Sequence, residues 1–262
     1  MCPKFCYRWP MFMRTTLEKI AFAVLAVFLC VTMGKDWYDL YTCGAVGQCL
    51  SSAGQLQLYT KFIMSCCLTV LAFLVAKRSF CARDGQLLRF AFIFSLIADF
   101  CFSKLKVIAP DAGTLSTVLG VGFFMVFQAI LIYRHSRENE NDKSCPKVFW
   151  VIFAVAAVFA GLAIAGVMDA VVAEVLIYGG FVITSMVVGI LAPRKAYFSK
   201  KNALLVRWGM VAFLIGDVMV GLSMLSGDDH SALQVLACLA NNLIWVFYVP
   251  AQLMIIRSAT KE

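Results

Sequence analysis

The sequence predicts an all-α membrane protein, a polytopic transmembrane bundle of eight helices with both termini in the cytoplasm. Of its 262 residues, 62% are hydrophobic and 15% are charged, whereas a soluble domain is about half apolar and a quarter charged. The apolar residues fall into eight runs of roughly 17–25 residues, each long enough to cross a hydrocarbon core about 30 Å thick. Lys and Arg concentrate in alternate connections between these runs. These observations predict a multi-pass protein of the lipid bilayer.

The eight runs define the predicted helices in chain order and form a single transmembrane domain covering residues 1–262. The first run follows basic residues, as a signal peptide would. It is longer than a signal core and lacks a small-residue cleavage site, so we expect it to remain as a membrane span. The predicted helices lie near residues 17–33, 58–76, 87–106, 112–133, 148–167, 171–192, 203–225 and 232–256.

The distribution of basic residues predicts the orientation. Short loops rich in Lys and Arg stay on the cytoplasmic side of a membrane. Basic clusters precede helix 1 and follow helices 2, 4 and 6, whereas the other connections carry mostly acids. The connection after helix 4, RHSRENENDKSCPK, is expected to be a solvated, charged segment. The net charge of +8 therefore reflects topology, and no basic face suited to nucleic acid is predicted.

The eleven cysteines and two histidines do not form a metal-binding pattern. No CxxC pair occurs, and His135 and His230 lie near the ends of predicted helices, so we expect no metal site. Cys43 and Cys49 share the long connection after helix 1, where a disulfide and two free thiols are both compatible with the sequence. No P-loop or dinucleotide glycine motif occurs, and we predict no cofactor.

Two aspartates interrupt apolar runs in similar segments, FSLIADFCF on helix 3 and FLIGDVMV on helix 7. Both helices run outward from the cytoplasm. Asp99 follows Arg89 by ten residues, and Asp217 follows Arg207 by ten residues. If the arginines mark the interface, both carboxylates lie about 15 Å inside, near the bilayer midplane. A carboxylate there is costly unless it faces a polar cavity, pairs or takes up a proton. We predict one shared site, with a structural hydrogen bond between helices as the alternative.

Other helices offer polar side chains to surround such a site, although hydrogen bonding between helices would also explain them. Four on helix 8 are spaced by four, three and four residues, which places them along one side. Pro250 would bend that helix. Lys61 enters helix 2 one turn from its outer end, where snorkelling to the headgroups is the alternative to an inward position. The polar candidates are Lys61, Ser95, Ser103, Gln128, Tyr178, Ser185, Asn241, Trp245, Tyr248 and Gln252.

Four segments resemble the lysoplasmalogenase family, or YhhN-like membrane proteins. Members have eight transmembrane helices, with a Lys near the start of helix 2, a small-residue–Asp pair on helix 3 and an Asp-containing segment on helix 7. Two positions depart from the family pattern, because Ala98 replaces the usual Gly and Gln128 lies nearest the usual helix 4 His. The resembling segments are YTKFIMSCCLTVLAFL, SLIADFCF, VAFLIGDVMVGLSML and WVFYVPAQLMIIRS.

The resemblance implies hydrolysis of the vinyl ether bond of a lysoplasmalogen, a lysophospholipid, to a fatty aldehyde and a glycerophospho-base. Two neighbouring carboxyls in a low-dielectric site do not both ionise readily, so one would hold a proton while the other is charged. That division suits a reaction that protonates an enol carbon and passes through a cation. Lys61, turned inward, would meet the lipid phosphate. The catalytic candidates are Asp99 and Asp217, and the substrate-binding candidates are Lys61, Gln128, Asn241, Tyr248 and Gln252.

Two other functions are compatible with the same residues. In a proton-coupled transporter, buried carboxylates bind the coupling proton, and flux without a covalent product would distinguish it. In a non-catalytic lipid-binding protein the aspartates would only pair, and Gln128 favours this alternative because Gln carries no proton near neutral pH. An intramembrane aspartyl protease is disfavoured, since its GxGD signature needs Gly where this chain has Leu214.

Overall fold

The computed structural model describes residues 13–43, 55–105, 108–109, 113–142, 144–224 and 232–261. Within these ranges the chain forms eight α-helices and no strand, which confirms the predicted all-α fold. A π-helical turn, Cys101–Leu105, continues α3, and a 3₁₀ turn, Ala192–Arg194, follows α6. The helices are α1 Thr16–Cys43, α2 Gln55–Ala76, α3 Ala82–Phe100, α4 Gly113–Ser136, α5 Val148–Ile164, α6 Ala170–Leu191, α7 Lys200–Ser223 and α8 Ala232–Arg257.

Helix α1 extends ten residues beyond its predicted end near residue 33. Its last turns contain Asp36, which is only 4% exposed. The backbone carbonyl of Asp36 accepts a hydrogen bond from Asn242 of α8 at 3.2 Å. Packing against α8 therefore keeps this polar segment helical where composition predicted a loop. Cys43 ends α1, and Cys49 lies outside the described residues.

Seven of the helices in the described ranges are long and apolar enough to cross a membrane, and α5 is a shorter apolar helix of 17 residues. The chain is a multi-pass membrane protein. Large apolar side chains cover the outside of the bundle. On α5, which is described throughout, Ile152 alone is buried, while Trp150 is 76% and Val158 61% exposed. Such a surface is stable against lipid rather than water.

Six helices form a ring in the order α2, α3, α4, α6, α7 and α8, and α8 returns to α2. Helix α1 packs outside the ring on α2 and α8, and α5 packs outside on α6. The tightest pair is α7 with α8, where a Cβ added at Gly209 would lie 3.2 Å from the Ala251 carbonyl. Small residues allow helices this close because they bring the backbones together.

A buried ionic network closes the end of the bundle where α4 and α8 end and α3 and α7 begin. Asp84 of α3 and Arg134 of α4 are both 0% exposed and form a bidentate pair at 2.8 and 2.9 Å. Arg134 also donates to the Ser258 hydroxyl at 3.0 Å. The Tyr197 hydroxyl, from the α6–α7 connection, donates to Asp84 at 2.9 Å. Burial and then the charge of Asp84 raise the pKa of Tyr197, so this hydroxyl remains a proton donor.

This network corrects the prediction that the whole connection after helix 4 is solvated. Arg134 and His135 are fully buried, and Arg137 is 2% exposed. Arg137 donates to the Tyr197 hydroxyl at 2.8 Å and lies over its ring. Helix α4 continues to Ser136, three residues beyond the predicted end. Arginine is tolerated here because a carboxylate and several oxygen acceptors replace its water.

Candidate active site

A cavity of about 300 Å³ lies inside the ring, in the half of the bundle where α3 and α7 end. By the predicted orientation, this is the non-cytoplasmic half. All six ring helices contribute to its wall. Most of the lining is aliphatic or aromatic, which suits a hydrocarbon chain. The residues that bear its polar groups are Lys61, Ser65, Asp99, Ser103, Tyr178, Asp217, Trp245 and Tyr248.

Asp99 reaches the cavity from the last turn of α3, two residues before the π-helical turn begins at Cys101. Its Oδ2 accepts hydrogen bonds from the Ser65 hydroxyl at 2.6 Å and the Tyr248 hydroxyl at 2.9 Å. Ser116 of α4 donates to the carbonyl of Cys101 at 2.6 Å, which satisfies a backbone acceptor in the turn. Single π-helical turns are frequent at functional sites. Here the turn changes the direction in which the side chains after Asp99 point.

Asp217 reaches the same cavity from α7. Its Oδ2 accepts a hydrogen bond from the Tyr178 hydroxyl of α6 at 2.9 Å. Gly216 precedes it and faces α8, where an added Cβ would lie 3.7 Å from the Tyr248 nitrogen. The small residue lets α8 approach closely, so that Asp217 and Tyr248 meet the cavity side by side.

The two carboxylates and two tyrosines form one cluster. Tyr248 hydrogen-bonds to Asp99 and also lies within electrostatic range of Asp217. Tyr178 hydrogen-bonds to Asp217 and lies within electrostatic range of Tyr248. Aromatic rings pack around Tyr248 and hold it in place. They belong to Phe124, Phe213 and Trp245, with centroids at 6.3, 5.7 and 5.2 Å.

Lys61 lines the cavity from α2, one turn beyond Ser65 towards the start of that helix. Its charge interacts with Asp36 of α1. The side chain is therefore a wall residue of the cavity, held near a counter-charge from outside the ring. A cation at this level is placed to meet an anion that enters from the same end of the bundle.

Three other predicted residues take different positions. Gln252 is 1% exposed and donates to the Ser95 hydroxyl at 3.1 Å. Ser95 and Tyr248 share a hydrogen bond of 3.1 Å, so Gln252 supports Tyr248 through Ser95. Gln128 is fully buried beside the Tyr178 hydroxyl but outside the cavity lining. Asn241 is half-buried and also outside the lining.

Sequence reasoning did not identify Ser65 as a site residue, and it placed Tyr178 among the polar residues around the site without linking it to Asp217. Ser65 follows Lys61 by four residues, so helical spacing places both on one face of α2. Tyr178 is one of four polar side chains in a mainly apolar helix, together with Glu174, Thr184 and Ser185. Polar groups in such helices point to the bundle interior, which is the signal that finds both residues.

The geometry suits proton transfer to a substrate buried in an apolar slot. Each carboxylate has one tyrosine as a hydrogen-bond donor, and the pair faces a common space. Among the described residues, no group of three or more His, Cys, Asp or Glu side chains could hold a metal ion. General acid–base chemistry needs only a proton donor, an acceptor and a positioned substrate.

Comparison with known proteins identifies the family. The family model described as the YhhN family matches residues 56–259, which cover the six ring helices except Gln55, the first residue of α2. No curated protein and no solved structure matches the chain. The chain therefore belongs to the YhhN family, the family of the lysoplasmalogenases.

Proposed function

We propose that this protein hydrolyses the vinyl ether bond of lysoplasmalogens, releasing a fatty aldehyde and a glycerophospho-base. The observation that carries the proposal is the meeting of Asp99 and Asp217 in one largely apolar cavity. Membership of the YhhN family supports the same activity. The apolar walls would take the hydrocarbon chain, and Lys61 would meet the phosphate.

The reaction needs one proton donor and one carboxylate. A proton is first transferred to the enol-ether carbon distal to the oxygen, which forms an oxocarbenium ion. Water then adds to the cationic carbon and loses a proton, and the resulting hemiacetal collapses to an aldehyde and the glycerol hydroxyl. The proton given at the first step is recovered from the added water, so the enzyme returns to its starting state.

Hydrogen bonds suggest the division of roles between the two carboxyls. Asp99 accepts two hydroxyl donors, whereas Asp217 accepts one. Donors to a carboxylate favour its charged form. We therefore assign Asp99 as the carboxylate that stabilises the cation and orients water, and Asp217 as the acid that protonates the carbon.

Aldehyde release from a lysoplasmalogen by the detergent-purified protein tests the proposal. We expect Asp217→Asn and Asp99→Asn each to lower turnover at least 100-fold, the low end of what a positioned acid or base contributes. Asp169→Asn is the matched control. Asp169 caps α6 through hydrogen bonds from Val171 and Val172, and Asn caps a helix equally well. Full turnover by both cavity variants would refute the assignment.

A proton-coupled transporter is the second candidate. The cavity lies in one half of the bundle, while the Asp84–Arg134 pair closes the other half. This arrangement is also that of a carrier open to one side. Substrate flux into proteoliposomes without aldehyde from a folded protein would favour transport over hydrolysis.

A further inference from the structure

Gln128 on α4 is a buried amide whose presence packing does not explain. The residue is 0% exposed, and neither its Nε2 nor its Oε1 hydrogen-bonds to any residue that the structure describes. Buried polar groups in native proteins are nearly always paired, and an unpaired one is destabilising. An apolar side chain of similar shape would fill the same volume without that cost.

The immediate neighbour of Gln128 suggests its role. The amide lies beside the Tyr178 hydroxyl, although without hydrogen-bond geometry in this state. That hydroxyl has one proton, and it is donated to Asp217 at 2.9 Å. The oxygen of Tyr178 keeps lone pairs that can accept a bond. Gln128, Tyr178 and Asp217 thus form a sequence from the buried wall to the cavity.

We propose that Gln128 is a positioning residue, the far end of a hydrogen-bond chain through Tyr178 that reverses direction when Asp217 gains or loses a proton. With Asp217 ionised, Tyr178 donates to the carboxylate and the Gln128 Nε2 donates to the tyrosine oxygen. With Asp217 protonated, the carboxyl donates to the tyrosine oxygen, and Tyr178 donates to the Gln128 Oε1. No proton crosses Tyr178, because only the two bond directions change.

An amide is suited to this position because it presents a donor and an acceptor at its two ends. A methionine presents neither, and a carboxylate would add a third charge to the site. The chain lets Asp217 exist in both protonation states without a buried hydroxyl proton that has no acceptor. The role of Asp217 as a turnover acid rests on the proposed function, whereas the hydrogen-bond chain does not.

Other titratable groups surround Asp217 and must be separated from the effect of Gln128. Tyr248 of α8 lies within its electrostatic range and connects it to Asp99 of α3. Lys61 of α2 lines the same cavity. Glu174 precedes Tyr178 by one turn on α6 and faces Gly122 of α4. A matched variant must therefore leave these groups in place.

Infrared spectroscopy of the purified protein, without substrate, tests the hydrogen-bond chain from Gln128 through Tyr178 to Asp217. The protonated carboxyl band of Asp217, identified by its loss in Asp217→Asn, is followed against pH. We expect Gln128→Met to lower this midpoint by about half a pH unit or more, because only the protonated state is then left with a buried hydroxyl proton that has no acceptor. Asn202→Met is the matched control, since this buried amide lies fifteen residues before Asp217 on α7 and donates to the Thr260 carbonyl at the other end of the bundle. We expect it to leave the Asp217 midpoint in place.

Kinetics supply the second measurement. Gln128→Met should lower kcat about tenfold, one hydrogen bond's worth, with KM within about threefold. Added to Tyr178→Phe, it should have no further effect, because residues that act through one another are not additive. Gln128→Leu replaces Gln128→Met if the latter does not fold.

The outcomes separate the two proposals. The hydrogen-bond chain is refuted if Gln128→Met is more stable than the wild type, leaves the pH midpoint of the Asp217 band in place and leaves kcat unchanged. If Gln128→Met shifts the pH midpoint of the Asp217 band but the wild-type protein releases no aldehyde, the hydrogen-bond chain is upheld and the proposed hydrolase activity is refuted. Additive effects of Gln128→Met and Tyr178→Phe also overturn the chain, because Gln128 would then act independently of Tyr178.

Discussion

Replacing Asp84 with Asn removes one charge from the buried network and keeps the shape of the side chain. Arg134 would then remain 0% exposed without a carboxylate, with Ser258 at 3.0 Å and His135 at 3.3 Å as remaining partners. Neither of these side chains supplies the negative charge that Asp84 does. Breaking a buried ion pair in this way typically costs about 3–5 kcal/mol. We expect Asp84→Asn to lower the free energy of unfolding by about that amount.

Thermal unfolding in detergent, followed by tryptophan fluorescence, measures the effect. For a chain of this size each kcal/mol lowers Tm by about 2–4 °C, so the expected loss is about 6–20 °C. Glu18→Gln is the matched control. Glu18 is 2% exposed, but its partner Arg78 is 24% exposed and can be hydrated when the carboxylate is removed. Gln retains the hydrogen bonds that cap α1, and we expect a loss of about 1 kcal/mol or less.

A double variant completes the test. Asp84→Asn with Arg134→Met removes both charges, and we expect it to recover much of the lost stability, because buried ion pairs are often replaceable by apolar residues. Asp84→Asn within 1 kcal/mol of the wild type would refute the reasoning, since Arg134 would not then need its counter-ion. A double variant less stable than Asp84→Asn would show that Arg134 contributes through its other contacts.

Two further predictions concern the cavity. Tyr248→Phe removes a hydrogen bond of 2.9 Å to Asp99 and leaves Ser65 as the donor to that carboxylate. Because the lost bond is to a charged group, we expect kcat for aldehyde release to fall about 10- to 100-fold. An unchanged kcat would contradict the site geometry. Lys61→Met should raise KM for lysoplasmalogen at least about fivefold with kcat nearly unchanged. The same variant should leave KM unchanged for a vinyl ether of glycerol without phosphate, and an equal rise in both would refute phosphate binding by Lys61.

The sequence predicts that Asp99 and Asp217 lie at one depth, because both follow an arginine by the same number of helical residues, and the structure places both on the wall of one cavity. That argument needs only the rise of a helix and the cost of a carboxylate in lipid. It does not say which helices are neighbours in the ring. Tyr178 could not be assigned to Asp217 from spacing, because a hydrogen bond between α6 and α7 depends on how those helices rotate against each other.

The buried arginines show a second limit. Arg134 and Arg137 follow an apolar run in a strongly charged segment, so local composition predicts a solvated position. The structure buries both because Asp84, Tyr197 and Ser258 converge from three other parts of the chain. A buried charge is stable only when such partners are assembled, and their convergence has no local signal in the sequence.

The sequence by itself determined that the protein lies in a bilayer and has eight helices, and it predicted two carboxylates at one depth. These follow from composition and helical rise, which are properties of single segments. The tertiary structure alone decided that Ser65 and Tyr248 bond Asp99, that Tyr178 bonds Asp217, and that Asn241 remains outside the cavity lining. Such pairings depend on the rotation and separation of packed helices, because a hydrogen bond requires two side chains to meet within about 3 Å.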